Sequence, residues 1–358
     1  MRTFLLKALT LVAVFAVSQS YAQPEMASLP SGFCLQNFNA YGPIYAADVK
    51  ARTEALSREL TSRSACDVIH LQEVWNKSHI NQLEAELSNR YLMSTPNKEA
   101  RIGLMSLFQS DMGEERTYTF HVNNEDGALD RVRELLNVKK AFHVVRADPR
   151  YLDEQIYFVN THLHPTSSAV RVTQLIELLA WRLAHQDLKM VLSGDLNADP
   201  DSLERGLALT LLGARDGLYE HVGDYPKGLC TYCAWNPRGW LFTDRVFDYV
   251  LFSNVGASET NLVVKSAQIN LRGTPGQPLS DHYGVRIDFE FKKERLAQDR
   301  DTQNIRRETA AMYLNRALKV LEEENLKAFR PYIAKIKILR SQLMSGEGEF
   351  AEYFEKFR

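Results

Sequence analysis

Six short apolar runs in this chain end or begin with a residue able to do chemistry. Phe33–Phe38 ends in Asn39, and Val68–Leu71 ends in Gln72-Glu73. Ile156–Val159 ends in Asn160-Thr161-His162, and Met190–Leu192 leads into Ser193-Gly194-Asp195-Leu196-Asn197. Asp248 opens Tyr249–Phe252, and Ser280-Asp281-His282 opens Tyr283–Phe289. Hard oxygen ligands together with two histidines are what Mg²⁺-assisted phosphoester hydrolysis requires. Strand ends are where a sheet can bring such groups to one point.

Each group also has a plain structural reading. Glu73 leaves a buried strand, a costly place for a carboxylate unless it is solvated, paired or metal-bound. Asp195 and Asn197 lie two residues apart, so an extended segment would put them on one side; Asp-x-Asn equally makes a turn. Gly194 allows a close backbone approach. Asp281-His282 sets a hard ligand beside a base, and His162 is the second imidazole. A lone histidine is ordinarily a satisfied core or surface residue. Here several such groups share one kind of position.

The elements that must hold these residues follow from periodicity. Ala47–Thr61, Ile80–Leu87 and Thr173–His185 have helical apolar spacing. Phe142–Val145 and Ile156–Val159 lie close together with no helix between them. Gly103–Phe108 and Ile269–Leu271 add strand candidates. This mix predicts mostly antiparallel sheets with flanking helices rather than strict βαβ alternation. After Phe291 the composition turns to dense Lys, Arg and Glu. Helical spacing of Met312, Leu314, Leu318 and Leu321, then Phe329, Ile333, Ile336 and Leu343, predicts a C-terminal helical hairpin broken near Arg330-Pro331.

Of the 358 residues, 45% are apolar and 25% charged, ordinary for a globular chain. Residues 1–22 read as a signal peptide. Arg2 and Lys7 precede or open an apolar core, and Ser20-Tyr21-Ala22 is a small-x-small cleavage site. The chain is therefore expected to be exported, secreted or periplasmic, with 23–32 a polar leader. Loss of Arg2 and Lys7 from the 43 Lys and Arg, against 45 Asp and Glu, leaves a net charge near −4. A non-specific nucleic-acid binder ordinarily carries a basic surface, so no nucleic-acid partner is favoured. The four cysteines allow three pairings. Cys34 and Cys66 both enter N-terminal strands, which favours their pairing. Cys230-x-x-Cys233 lacks a second CxxC for zinc and reads as a local loop disulfide.

Taken in order, these residues resemble the endonuclease/exonuclease/phosphatase superfamily, of which DNase I is one member. Its motifs are an Asn after the first strand, Gln-Glu, Thr-His, Gly-Asp-x-Asn, Asp-Tyr and Ser-Asp-His, and all six are present. The finer resemblance is to the neutral sphingomyelinase branch. It rests on Asn39-Ala-Tyr-Gly-Pro43, Leu71-Gln-Glu-Val-Trp75, Asn160-Thr-His-Leu-His164 with Arg171 and Gln174, Cys230-Thr-Tyr232, Asn236-Pro237, and Gly273-Thr-Pro275 through Leu279-Ser-Asp-His282. The match spans about 33–291, which delimits a catalytic domain, with 292–358 a charged helical extension. Two departures stand out. Leu107-Phe-Gln-Ser-Asp111 replaces a Ser-Arg/Lys-aromatic-Pro motif. Leu135 occupies the place of an Asp that usually precedes the Lys140-Ala141 site by five.

The resemblance implies a four-layer α/β sandwich, with two packed mixed β-sheets flanked by helices. It implies Mg²⁺, or Mn²⁺, held by Glu73 with Asn39 and Asp281. His282 would be the general base, oriented by Asp248. Asp195 and Asn197 would place the water or a second metal, and His162 would donate to the phosphoryl oxygens. Lys140, Tyr232, Trp235 and Asn236 would meet the substrate. The aromatic stretch 219–242 is expected to frame the pocket, either touching a lipid interface, stacking on a choline headgroup, or covering a sheet edge. The leading expectation is a phospholipase C-type enzyme releasing ceramide and phosphocholine from sphingomyelin. The alternatives are a secreted nuclease, a phosphatase, and a binding protein on an inactive enzyme fold. Oligomeric state is left open.

Overall fold

The structure, a computed structural model, describes residues 32–43, 45–62, 65–96, 102–123, 138–149, 154–254, 260–293 and 300–345. The signal-peptide and leader segments up to residue 31, and Leu135, lie outside the described residues.

Two six-stranded sheets face each other. The first runs β11 (Asn261–Asn270), β12 (Gly284–Lys292), β1 (Gly32–Asn39), β2 (Val68–Gln72), β4 (Met105–Phe108), β3 (Leu92–Ser94). The second runs β5 (Met112–Thr119), β6 (Ala141–Ala147), β7 (Ile156–His162), β8 (Lys189–Asp195), β10 (Asp248–Ser253), β9 (Arg215–Asp216). The central pairs β1–β2 and β7–β8 are parallel, and the other pairs are antiparallel. Each parallel pair is joined through a helix, α1 (Val49–Leu60) and α3 (Ser168–Ala184), as a parallel crossover demands. With α2 (Lys77–Leu87), α4 (Leu203–Leu211) and the short α5 (Gly217–Val222), this is the expected α/β sandwich.

Side-chain alternation explains both the packing and the site. In β1 the outward residues Cys34 and Phe38 pack with Leu56, Leu60, Ile80 and Leu83 of α1 and α2. The inward residues Phe33 and Leu35 meet Val68, Phe158, Val191 and Val250 from β2, β7, β8 and β10 between the sheets. Further along the same inward rows the residues become polar: Asn37 and Asn39 on β1, His70 and Gln72 on β2, Asn160 and His162 on β7, Ser193 and Asp195 on β8. All eight are buried. The space between the sheets is therefore oily at one end and hydrogen-bonded at the other.

Those amides bond one another across the gap, with Asn37 Nδ2 and Gln72 Oε1 left without a partner among the described residues. Gln72 Nε2 donates to Asn37 Oδ1 and to Asn160 Oδ1, each at 2.8 Å, joining the two sheets. Asn160 Nδ2 donates to the carbonyls of Leu71 and Met105 at 3.1 and 3.0 Å. His70 Nδ1 lies 2.7 Å from Ser193 Oγ. An unmatched buried amide costs about 1–3 kcal/mol, so these bonds tie the two sheets to one relative position. A Cβ at Gly194 would collide with the Thr161 carbonyl of the neighbouring parallel strand.

Cys34 is disulfide-bonded to Cys66, and Cys230 to Cys233. Several element boundaries differ from the periodicity reading. Gly32 already belongs to β1, opposite Glu290. The polar strand β5, Met-Gly-Glu-Glu-Arg-Thr-Tyr-Thr, is a sheet edge exposed on much of its length, so it has no apolar alternation to read. The C-terminal hairpin is present as α6 (Arg300–Glu324) and α7 (Arg330–Ser345). Its break falls at Asn325-Leu326 and a 3₁₀ turn, Lys327–Phe329, while Pro331 sits in the first turn of α7 where its missing N–H is harmless. The hairpin packs on α4 and α3. Ala310, Leu314, Leu321, Tyr332 and Ile336 join the same core as α3 residues Leu175 and Leu179. No helix among the described residues is long and apolar enough to cross a membrane.

Candidate active site

Strand register brings the polar ends together. His162 lies opposite Asp195 across the parallel β7–β8 pair, and Asp248 lies opposite Asp195 across the antiparallel β8–β10 pair. Asn39 lies opposite Gln72 on the other sheet. Asn39 Nδ2 then spans the gap between the sheets to Asp195 Oδ2 at 3.0 Å. His282, two residues before β12, points Nδ1 at Asp248 Oδ2, 2.7 Å away. Its Nε2 lies 3.8 Å from Asp195 Oδ2, and His162 Nε2 lies 3.5 Å from the same oxygen. Asp195 is thus the point on which both sheets and both imidazoles converge.

Glu73 follows β2 with φ 59°, a left-handed conformation that turns its carboxylate off the strand line. It is half-buried, interacts with Asp195 and His282, and takes a hydrogen bond from Asn39. Burial raises the Glu73 pKa, helped by Asp195 and opposed by Lys140 and His282. Burial likewise pushes Asp195 up to about 6, with Asp248 adding to the rise and His282 opposing it. Asp281 also rises to about 6 through burial and the nearby Glu73, against His282. For His282, burial favours the neutral ring, but Asp248, Asp195 and Asp281 outweigh it and raise the pKa well above the usual histidine value. Carboxylates crowded so that they raise one another form a cavity suited to a cation, and an all-oxygen donor set suits a hard divalent one.

Glu73 and Asp281 lie near enough for the Glu73 charge to raise Asp281, while the Asn39 Oδ1 accepts from the Tyr41 N–H at 3.0 Å. Asp195, Asp248 and His282 also bring ligand atoms within 4.8 Å of one another. The 2.7 Å bond between Asp248 Oδ2 and His282 Nδ1 leaves Asp248 Oδ1 without a hydrogen-bond partner among the described residues.

Some residues sit differently from the sequence expectation. Asp195 and Asn197 do not share one side of an extended segment. β8 ends at Asp195, Asn197 has φ 50°, and its N–H donates to Asp195 Oδ1 at 2.9 Å. The turn reading holds there, and Asn197 Nδ2 supports the Leu163 carbonyl at 3.2 Å, next to His162. Asn236 is buried, and its Nδ2 donates to the carbonyls of Ser280 and Asp281 at 3.0 and 3.1 Å. It shapes the Ser280-Asp281-His282 turn and has no hydrogen left for a substrate. Tyr232 is buried too, with its ring edge-on to His282 at 5.0 Å. Arg171 and Gln174 bond the backbone of His164.

The aromatic stretch divides into three. Tyr219 and Tyr225 flank the Arg205 guanidinium, each 5.4 Å from it. Tyr232 backs His282. Trp235, Trp240 and Phe242 are 62%, 76% and 96% exposed. Trp235 and Trp240 stand beside the site, because the Trp240 N–H donates to Tyr232 Oη at 2.7 Å and Trp235 packs on Tyr283 at 5.3 Å, and Phe242 follows them in sequence. Lys140 is buried and lowers the pKa of both Glu73 and Asp195, which places its charge at the site.

Arg52 escaped the sequence reading, and Thr231 and Trp75 stood in its motifs without an assigned role. Arg52, buried on α1, donates to the carbonyls of Ala40 at 3.0 Å, Tyr41 at 2.6 Å and Leu279 at 2.8 Å. It ties the loop after Asn39 to the loop before Asp281, yet its only sequence signal is an arginine inside an amphipathic helix. Thr231 Oγ1 accepts from the Asp248 N–H at 3.2 Å, and its carbonyl accepts from the Tyr283 N–H at 2.7 Å. Trp75 stands between Lys140 and His162, at 5.6 and 6.3 Å from its ring centre.

A two-sheet α/β sandwich with acids, amides and two imidazoles gathered at its polar end is the arrangement the structure shows. Comparisons with known proteins place the chain in a family. Residues 37–282 match the model of the endonuclease/exonuclease/phosphatase family, and the chain belongs to that family, whose members are metal-dependent phosphoesterases and nucleases. It is similar to an uncharacterised calcium-binding protein of Arabidopsis thaliana, 28% identical over 197 residues, covering 47% of this chain and 40% of that one. The chain thus matches less than half the length of that curated relative. Among solved structures it shares the fold of an endonuclease/exonuclease/phosphatase from Bacteroides vulgatus, with TM-score 0.59, 14% identity, and coverage of 73% and 99%. A zebrafish (D. rerio) TDP2 complexed with a single-strand DNA product gives TM-score 0.57, 15% identity, and coverage of 73% and 99%. SmcL gives 0.54, 18%, 73% and 99%.

Proposed function

We propose that this protein is an exported Mg²⁺-dependent phosphodiesterase of the sphingomyelinase type, releasing ceramide and phosphocholine. The observation that carries the lipid reading is the rim. Trp235, Trp240 and Phe242 are exposed together on the loop whose Tyr232 touches His282. Exposed tryptophan and phenylalanine beside a catalytic cleft suit a lipid–water boundary. The Gln72-Glu73-Val74-Trp75, Asn160–His164 and Asn236-Pro237 motifs support the same branch.

Glu73, Asn39 and Asp281 would hold Mg²⁺, which when bound neutralises charge on a phosphate oxygen. His282 Nε2 would take the proton of the attacking water once a bound cation offsets the carboxylates that otherwise hold the ring protonated, because Nδ1 is committed to Asp248. Asp248 fixes the ring and stabilises its charged form. His162 and Lys140 face the charge that grows on the phosphoryl oxygens. Asp195, bonded by Asn39 and the Asn197 N–H, holds both imidazoles toward one point.

A nuclease is the second reading, favoured by the DNA product bound to the similar zebrafish fold. Purified protein with Mg²⁺ or EDTA, assayed side by side on sphingomyelin liposomes, phosphatidylcholine liposomes and plasmid DNA, separates the two. Mg²⁺-dependent phosphocholine release from sphingomyelin supports the proposal, whereas DNA cleavage without lipid hydrolysis replaces it with the nuclease. In liposome flotation, Trp240→Ala with Phe242→Ala should abolish binding; unchanged binding retires the membrane role of the rim. N-terminal sequencing of exported protein should begin at Gln23.

A further inference from the structure

Trp75 is the large side chain at the site for which the scheme above has no task. It is half-buried, just past Glu73, in a segment whose backbone is fixed by the Val74 N–H donating to the Gly103 carbonyl at 3.0 Å. Gly103 has φ +72°, and a Cβ there would stand 2.5 Å from the indole Cε3. The chain thus leaves out a side chain at Gly103 where the indole lies. The Lys140 ammonium is 5.6 Å from the indole centre, within the range of a cation–π contact. The His162 ring is tilted against it at 6.3 Å. The Lys140 backbone is held separately, its N–H donating to Asn123 Oδ1 at 2.5 Å and its carbonyl accepting from the Phe120 N–H at 3.1 Å. The long flexible stem of Lys140 therefore starts from a fixed backbone and ends against a fixed ring.

We propose that Trp75 is a positioning residue for phosphodiester hydrolysis: its indole seats the Lys140 ammonium and braces the His162 ring, so both groups meet the phosphate from one wall. The argument has three parts. A lysine stem has four rotatable bonds and loses much rotamer freedom when its head must stay in place. A ring beneath the ammonium restrains the head from one side, while the Glu73 and Asp195 carboxylates attract its charge. The same ring keeps the imidazole from turning away from Asp195. The inference rests on the phosphodiesterase reading but not on which diester is the substrate.

The test is a double-mutant cycle read with bis(p-nitrophenyl) phosphate and Mg²⁺, using Trp75→Leu, Trp75→Phe and Lys140→Met. Trp75→Leu should lower kcat/KM about tenfold, while Trp75→Phe, which keeps a ring, should stay within about threefold of wild type. In the Lys140→Met background Trp75→Leu should cost less than about twofold, because the group it seats is gone. Calorimetric titration with inorganic phosphate repeats the cycle without turnover, with the same pattern expected in Kd. Gly103→Ala, which drives a Cβ into the indole while leaving Trp75 in place, should reproduce the loss if Trp75→Leu fails to fold. Equal losses in both Lys140 backgrounds, or no loss in either measurement, overturn the inference alone. A wild type that neither binds phosphate nor cleaves the diester overturns the phosphodiesterase reading and the inference with it.

Discussion

At Asp195 a single carboxylate meets an amide from the opposite sheet, a backbone N–H and two imidazoles. The division of labour between the histidines follows from their second partners. His282 has Asp248 at 2.7 Å, which fixes Nδ1 as the protonated nitrogen and leaves Nε2 to take a proton. His162 lies against Trp75, with its Nε2 3.5 Å from Asp195 Oδ2. His282→Ala should therefore lower kcat by at least about a hundredfold, with thermal stability near wild type. Steady-state kinetics beside a thermal melt check this. A stable variant with wild-type kcat would remove His282 from the mechanism. Arg52→Ala should act differently. It frees the carbonyls of Ala40, Tyr41 and Leu279 together, so it should weaken Mg²⁺ binding through Asn39 and Asp281 as well as slow turnover. Calorimetric titration with Mg²⁺ reads that loss, and an unchanged Mg²⁺ affinity would contradict it.

Among the elements, the strands that carry the site were legible because each one changes character along its length. Phe33-x-Leu35-x-Asn37-x-Asn39 and Ile156-x-Phe158-x-Asn160-x-His162 are alternations that turn from apolar to polar without changing face, which places the polar residues at one end of the gap between the sheets. What the sequence could not show was register, the property that sets His162 and Asp248 opposite Asp195. It offered the turn at Asn197 only as one of two readings, and it could not show the inward amide of Asn236, since an amide reads the same whether it faces a substrate or a backbone carbonyl. Long-range anchors such as Arg52 left no local trace. The C-terminal hairpin was legible as helices, but its berth was not. Leu314 of α6 is fully buried in the core shared with α3 and α4. Leu314→Ala should cost about 2–5 kcal/mol, measured by denaturant unfolding. A cost below about 1 kcal/mol would mean the hairpin is not part of the cooperative fold.

For the whole molecule, protons and cations compete for the same carboxylates. Asp195 and Asp281 carry pKa values near 6 against an ordinary 3.8. Without a cation their charge destabilises the fold above about pH 6, and that penalty disappears as pH falls toward 3.8. Mg²⁺ needs them ionised and relieves the repulsion, so its stabilisation should be large at pH 7.5 and shrink below pH 6. His70 and His143 work the other way. Burial lowers them to about 3 and about 4, so the unfolded chain takes up their protons first and stability falls as pH drops below 6.5. Their effect is the same with and without Mg²⁺ and cancels in the difference. Thermal melts with Mg²⁺ and with EDTA at pH 7.5 and pH 5 should show the larger Mg²⁺ increment in Tm at pH 7.5. An equal or larger increment at pH 5 would contradict the assignment of these carboxylates.

The central claim is that the polar end of the sandwich is a cation-dependent phosphodiester hydrolysis centre built on Glu73. Its most direct measurement is the rate of bis(p-nitrophenyl) phosphate hydrolysis as Mg²⁺ is added back after EDTA, for wild type and Glu73→Gln. The wild type should fall to background in EDTA and recover along a saturable Mg²⁺ curve, while Glu73→Gln should need far more Mg²⁺ or fail to recover. Hydrolysis that survives EDTA, or a Glu73→Gln curve that overlays the wild type, would contradict the account.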